Sequence, residues 1–288
     1  MPGRKNRSKC VFGRGLQICA VALALLAPDG REATAEGFFV DTGPAKSEAR
    51  LVSGWAASDG TRIAALRVDL AEGWKTYWRN PGEAGIPPTF DWSGSENLAA
   101  VKIAWPAPIV FDSYGVRTIG YEHEMMLPLQ VTPDDPTRPV RLSLALFYGV
   151  CDDICIPARA DIALNIEPGA PAEGEAEIRA ALEATPAPAS GAGLKAAHCA
   201  IEGVGEAQRL TARLAFAAAP VHAPLVVAEG PEGVWFGPLE TRLEKGEIVA
   251  TGEMRAAPGE WIDRSALRLT LLDRAEGPAL TVAGCPAS

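Results

Sequence analysis

Two cysteines four positions apart, Cys151 and Cys155, are the residues of this sequence best placed to do chemistry. They follow an apolar, β-prone run from Val140 to Val150, and Ile156-Pro157 stops them on the other side. A strand that reverses over the three residues between them brings the two positions opposite each other. Opposed residues in a non-hydrogen-bonded antiparallel pair have Cα atoms about 4.5 Å apart, a span that a disulfide covers. The spacing therefore predicts a bond at the tip of a tight hairpin, reachable from outside and reversible. A static bridge is the competing reading, but a bond closing so short a loop gains little from loop entropy. Half of a metal site is the other. Zinc normally takes four ligands, and none of the imidazoles His123, His198 and His222 stands at ligand spacing from the pair; no metal and no cofactor is expected. Asp152 and Asp153 disfavour a thiolate beside them, which predicts cysteine pKa values at or above the free-thiol value of about 8.5. Such a pair suits a carrier attacked by a partner's thiolate better than an aggressive nucleophile.

Two further cysteines, Cys199 and Cys285, stand at the ends of a second β-rich region. A bond between them would tie its first and last strands together and reads as structural, with an entropic contribution on the order of 4 kcal/mol. Around the hairpin, Trp74-Lys75-Thr76-Tyr77-Trp78 is the densest aromatic cluster. Alternate side chains of it must be core in any sandwich, while the number of rings places some of Trp74, Tyr77, Trp78 and Tyr148 near the cysteines. Phe111-Asp112-Ser113-Tyr114-Gly115 reads as a loop flanked by Pro and Gly. Its aromatics either shield the disulfide or pack as in any loop, and composition leaves the two even. There is no Gly-rich phosphate loop, no nucleophile elbow and no metal-type His pair.

The elements that must hold these residues are strands. Period-two alternation marks Ala49 to Ala56 and Arg62 to Leu70 around a Ser58–Thr61 turn. Later candidates are Ala99 to Trp105, Met125 to Val131, Val140 to Phe147 and Ala160 to Ile166. Short strands, Pro- and Gly-rich turns and no long amphipathic helix predict an antiparallel sandwich. Pro168 to Gly193 is Pro- and Ala-rich and reads as a linker with a short helix in Glu173 to Ala184. A second β pattern follows, from Leu210 to Phe216 through Leu225 to Ala228, Val234 to Phe236, Ile248 to Met254, Leu267 to Leu272 and Ala279 to Ala283. The expected division is 1–35, 36–167, 168–193 and 194–288, with an all-β sandwich in each of the second and fourth parts.

Residues 1–35 read as a secretory signal: Arg4, Lys5, Arg7, Lys9 and Arg14 precede an apolar run from Leu16 to Ala27, and Ala33-Thr34-Ala35 fits the cleavage pattern. The run is too short to span about 30 Å of hydrocarbon, so no stable membrane insertion is expected. Cleavage would remove Cys10 and Cys19 and leave four cysteines, an even number that reads as disulfides in an oxidising compartment. The 288-residue chain carries a net charge of −9, and without residues 1–35 it would carry 21 basic and 34 acidic residues, a net −13. That surface argues against nucleic acid or anionic lipid as a partner.

Three motifs taken together resemble a known family. They are Trp74…Tyr77-Trp78-Arg79-Asn80-Pro81-Gly82-Glu83-Ala84-Gly85, Trp105-Pro106-Ala107-Pro108, and Tyr148-Gly149-Val150-Cys151-Asp152-Asp153-Ile154-Cys155-Ile156-Pro157. Over roughly Phe38 to Ile166 the chain resembles the N-terminal periplasmic domain of the DsbD/ScsB thiol:disulfide interchange proteins. The resemblance implies an immunoglobulin-like sandwich, a periplasmic location and a redox-active cysteine pair. It also implies thioredoxin-like oxidoreductases as partners, a cap loop at Phe111 to Gly115, and Cys155 as the cysteine that bonds to partners. The membrane-embedded and thioredoxin-like parts of full-length members are not in this sequence, so a separate membrane electron donor is expected. The second β region resembles the extra β domain of ScsB-type members. The rival expectation is a non-redox sandwich adaptor or chaperone whose disulfides are only structural.

Overall fold

A computed structural model describes residues 46–286, apart from 114, 170, 204–206, 219–223, 258–261 and 274–278. The expected signal at residues 1–35, with its cleavage site, lies outside the described residues, as does Tyr114.

Ten strands come first: β1 Ser47–Ala56, β2 Arg62–Leu70, β3 Lys75–Gly82, β4 Thr89–Asp91, β5 Leu98–Ile103, β6 Ile109–Ser113, β7 Val116–Glu122, β8 Glu124–Pro133, β9 Val140–Cys151 and β10 Cys155–Ile166. They form two antiparallel sheets, one ordered β1-β2-β8-β5 and one ordered β10-β9-β3-β7-β6, with β4 also on β9. The inner faces follow period-two chemistry. Val140, Leu142, Leu144, Leu146, Tyr148 and Val150 of β9 all point into one core, where they meet Leu66, Val68, Trp78, Leu127 and Leu129. The odd-numbered residues of β9, Gly149 and Cys151 among them, therefore face away from that core.

Strand β2 is buried along most of its length instead of alternating. Its outer face is covered by the one α-helix of the described residues, α1 Glu175–Glu183, whose Ile178 and Ala181 pack on Ile63, Ala65 and Met126. The segment expected to be a linker with a short helix carries that helix and is fastened down by it. The backbone N–H groups of Glu173 and Gly174 both donate to the Ser53 carbonyl, and Ala107 N–H donates to the Ala184 carbonyl. Arg62 is nearly inaccessible, and its guanidinium donates to the carbonyls of Ile166, Pro136 and Arg138, joining β2, the turn before β9 and the end of β10.

Nine strands follow: β11 Ala187–Pro188, β12 Leu194–Glu202, β13 Ala207–Phe216, β14 Pro224–Glu229, β15 Trp235–Phe236, β16 Glu240–Glu244, β17 Glu247–Arg255, β18 Arg268–Asp273 and β19 Leu280–Ala283. One sheet is ordered β11-β19-β18-β14 and the other β12-β13-β17-β15, with β16 also on β17. Between them Leu210, Leu214, Ile248, Leu269 and Leu271 make a second core. Cys199 and Cys285 are bonded inside it and fully buried, so the bond ties β12 to the segment after β19.

The two sandwiches touch. Leu225, Val227 and Leu272 of the second pack into the core of the first. Arg79, at the end of the buried part of β3, makes a two-pronged ion pair with Glu229 of β14 at 2.7 and 2.9 Å, its guanidinium 4.0 Å from the centre of the Trp78 ring. No helix among the described residues is long and apolar enough to cross a membrane.

Candidate functional site

Strands β9 and β10 pair without a register shift from Val140↔Ile166 to Cys151↔Cys155. That ladder delivers the two cysteines opposite each other, Cα atoms 4.1 Å apart, and they are bonded. Asp152, Asp153 and Ile154 make the turn, closed by a hydrogen bond from Asp152 N–H to the Ile154 carbonyl at 3.3 Å. Cys151 is half-buried and Cys155 exposed. Of the two residues, Cys155 is the more exposed.

Next to the hairpin lies β3, with Lys75 opposite Cys151 and Thr76 opposite Val150. The buried Thr76 hydroxyl donates to the Gly149 carbonyl at 2.8 Å and pins the two strands together. Alternation then sends Trp78 into the core and Lys75 and Tyr77 to the outer face. Tyr77 is 4% exposed. Its hydroxyl lies 3.0 Å from Cys155 Sγ. A disulfide sulfur has no proton to give, so the phenol donates. Burial pushes the Tyr77 pKa up, which keeps that donor protonated through the physiological range.

Two glycines let the ring lie there. A Cβ at Gly85, whose φ is +131°, would fall 2.5 Å from Cδ1 and Cε1 of Tyr77. A Cβ at Gly149 would fall 3.0 Å from its Cε2. Any larger residue would push the ring, and with it the hydroxyl, off the sulfur. Lys75, Tyr77, Phe111, Val116, Thr118, Asp152 and Asp153 line, with both cysteines, an open cavity of about 470 Å³. A cavity of this size, next to an exposed cysteine, can receive a thiol and the segment that carries it. The Lys75 ammonium sits 4.5 Å from the centre of the Phe111 ring, a cation–π contact.

Residues 46–166 match the family model of thiol:disulfide interchange protein DsbD, N-terminal. The fold is similar to that of the N-terminal periplasmic domain of ScsB from Proteus mirabilis, with a TM-score of 0.65 and 24% identity over 86% of this chain and 96% of that one. A DsbD N-terminal domain from Neisseria meningitidis, in the reduced form, is 19% identical over 42% of this chain and 86% of its own, with a TM-score of 0.25. No curated protein matches the sequence. The resemblance to the DsbD/ScsB N-terminal domains seen in the motifs is thus found again in the family match, and the immunoglobulin-like antiparallel sandwich it implied is the fold observed.

Within residues 46–166 the sequence-predicted residues separate. Of the four aromatic residues expected near the cysteines, Tyr77 alone is in hydrogen-bond contact with the disulfide. Trp78 and Tyr148 are core residues, the Tyr148 hydroxyl being 2.8 Å from Ser47 Oγ, and Trp74 packs against the same core under the Lys46 ammonium. Of the stretch from Phe111 to Gly115, read as a loop, Phe111 to Ser113 are instead the end of β6, and Gly115 has φ +80°. Phe111 borders the cavity, while Asp112 is exposed and pairs with Arg117 at 3.3 Å. Lys75, Gly85 and Gly149 stood in the quoted motifs without a role of their own, and Val116 and Thr118 were not singled out. Parity was the available signal: Lys75, Tyr77, Phe111, Gly149 and Cys151 all fall on odd positions of strands whose other face is core.

Proposed function

We propose that this chain is an exported, periplasmic thiol:disulfide interchange protein that relays electrons through the Cys151–Cys155 disulfide. The observation that carries this reading is the contrast between its two bonds. Cys155 is exposed at a cavity with a phenol donor on its sulfur, whereas Cys199–Cys285 is sealed in a core. Its partners are thioredoxin-like oxidoreductases of the same compartment, with a separate membrane donor completing the circuit, and residues 36–167 act as the redox unit.

The exchange has two steps. A partner thiolate attacks Cys155 Sγ; an intermolecular S–S bond forms as the Cys151–Cys155 bond breaks, and the electron pair of that bond leaves on Cys151, which takes up a proton. The partner's second thiolate then attacks its own sulfur in the mixed disulfide. Cys155 departs as a thiolate beneath the Tyr77 hydroxyl and is protonated from solvent. The partner dithiol has become a disulfide, and this chain has gained two electrons and two protons. Run backwards, the same steps deliver them.

Trapping tests the assignment. Purified Cys151→Ala, incubated with an oxidised thioredoxin-fold protein lacking its resolving cysteine and activated as a mixed disulfide with thionitrobenzoate, is expected to form a covalent heterodimer through Cys155. Cys155→Ala is expected to form little, because Cys151 is half-buried. Equal trapping by the two variants, or none by either, would overturn the reading.

A further inference from the structure

Among the described residues, five large apolar side chains are exposed, namely Ile109, Val116, Ile154, Trp235 and Leu243. Two of them, Ile154 and Val116, lie at the disulfide or its cavity, and a third continues the same face. Ile154 stands between the two cysteines and is 69% exposed. Val116 lines the cavity. Ile109 opens the strand that carries Phe111 and lies beside Gly120, which in turn lies beside Tyr77, so it extends the same outer face. Apolar side chains gathered at one exposed spot mark a surface that another molecule covers. A hairpin tip imposes no need for isoleucine.

The charges around this patch have one sign in excess. Asp112 is paired with Arg117. The Glu83 carboxylate accepts the Arg117 backbone N–H at 2.6 Å and is otherwise open to solvent. Lys75 is turned onto the Phe111 ring. Asp152 and Asp153, both exposed and both lining the cavity, stand in the turn between the two cysteines. An incoming thiolate is itself an anion, so two carboxylates beside its target slow it unless it arrives with positive charge.

We propose that the Asp152-Asp153-Ile154 turn selects the thiol that reaches Cys155: a cysteine on a protein surface that is apolar beside the sulfur and rimmed by Lys or Arg. This rests on the exchange reading above and names the partner chemistry of that site. Anionic low-molecular-weight thiols are disfavoured by the same turn, which protects a carrier from idle reduction while it waits for its partner.

The test uses the whole chain and defined probes. Rates of reduction of the Cys151–Cys155 bond by cysteamine, 2-mercaptoethanol and 3-mercaptopropionate are measured and corrected for each thiol's thiolate fraction and nucleophilicity. The cationic thiol is expected to exceed the anionic one by about fivefold at low salt, a ratio falling toward one at ~1 M salt. Asp152→Asn with Asp153→Asn is expected to bring the ratio close to one, speeding 3-mercaptopropionate most, 2-mercaptoethanol less and cysteamine least. For the apolar part, the peptide Lys-Trp-Cys-Lys is expected to outpace Lys-Ser-Cys-Lys on the parent protein, and the two to become equal on Ile154→Ser. Equal rates for the three small thiols at low salt would overturn the charge selection. A peptide ratio unchanged in Ile154→Ser would overturn the apolar one. A bond that no thiol reduces would overturn the exchange itself, and the selection with it.

Discussion

Replacing Tyr77 by Phe removes one oxygen from the site and leaves the rest of the ring between Gly85 and Gly149. What is lost is the hydroxyl 3.0 Å from Cys155 Sγ. A hydrogen bond to a charged group contributes about 1.5–3 kcal/mol and one to a neutral group about 0.5–1.5. The hydroxyl therefore favours the Cys155 thiolate over the thiol by roughly 1–1.5 kcal/mol, close to one pKa unit. In a Cys151→Ala background, where Cys155 is free, Tyr77→Phe is expected to raise the Cys155 pKa by about one unit. At neutral pH the thiolate fraction then falls about tenfold while intrinsic nucleophilicity rises about threefold, so attack slows by roughly threefold. The assay is the pH dependence of alkylation by iodoacetamide, followed by mass. Gly149→Ala keeps the hydroxyl but forces the ring and Ile86 to move, and is expected to shift the midpoint in the same direction. An alkylation midpoint unchanged in Tyr77→Phe would refute the role given to the phenol.

Cys285→Ala is expected to lower the melting temperature of the chain, since the bond closes an 86-residue separation and the entropic account gives on the order of 4–5 kcal/mol; differential scanning calorimetry reads it, and the reduction rate of Cys151–Cys155 is expected to stay near the parent's. Arg62→Ala is expected to cost about 3 kcal/mol in urea unfolding, because three carbonyls lose a charged donor in a site that water hardly reaches; a cost under ~1 kcal/mol would show that the region relaxes around the loss. Burial raises the pKa of Tyr77, Tyr121 and Tyr148. Below the ordinary tyrosine pKa of about 10 their contribution is fully present; above it the unfolded chain ionises first, so stability falls as pH rises toward the folded values. Melting temperatures measured from pH 8 to 11 are expected to hold level and then drop.

The cysteine hairpin was the most legible part of the sequence because its information is local: an apolar run, a three-residue turn and two cysteines determine the pairing by themselves. The β-rich regions were legible through alternation, and the bond between Cys199 and Cys285 joins the positions expected. What escaped depends on distant residues. Strand β2 looked half-polar, yet α1, more than a hundred positions later, covers its outer face. Strand β10 begins at Cys155 although its first residues, with Pro157 among them, carry weak strand signal. Strand β12, with its Ala-rich sequence, was not anticipated. The aromatic cluster announced a site without saying which ring reaches it, since parity decides between Trp78 in the core and Tyr77 on the sulfur. Leu225, Val227 and Leu272 lie in strands of the second sandwich, yet they pack into the core of the first.

The central claim is that one of the two disulfides is built for exchange and the other for stability. Equilibration of the native chain in glutathione and dithiothreitol buffers of graded potential, with alkylation and peptide mass mapping, measures both at once. Cys151–Cys155 is expected to be half-reduced at a potential above about −300 mV, while Cys199–Cys285 remains oxidised until the chain unfolds. Both bonds resisting reduction below about −300 mV, or both opening together in the folded protein, would contradict it.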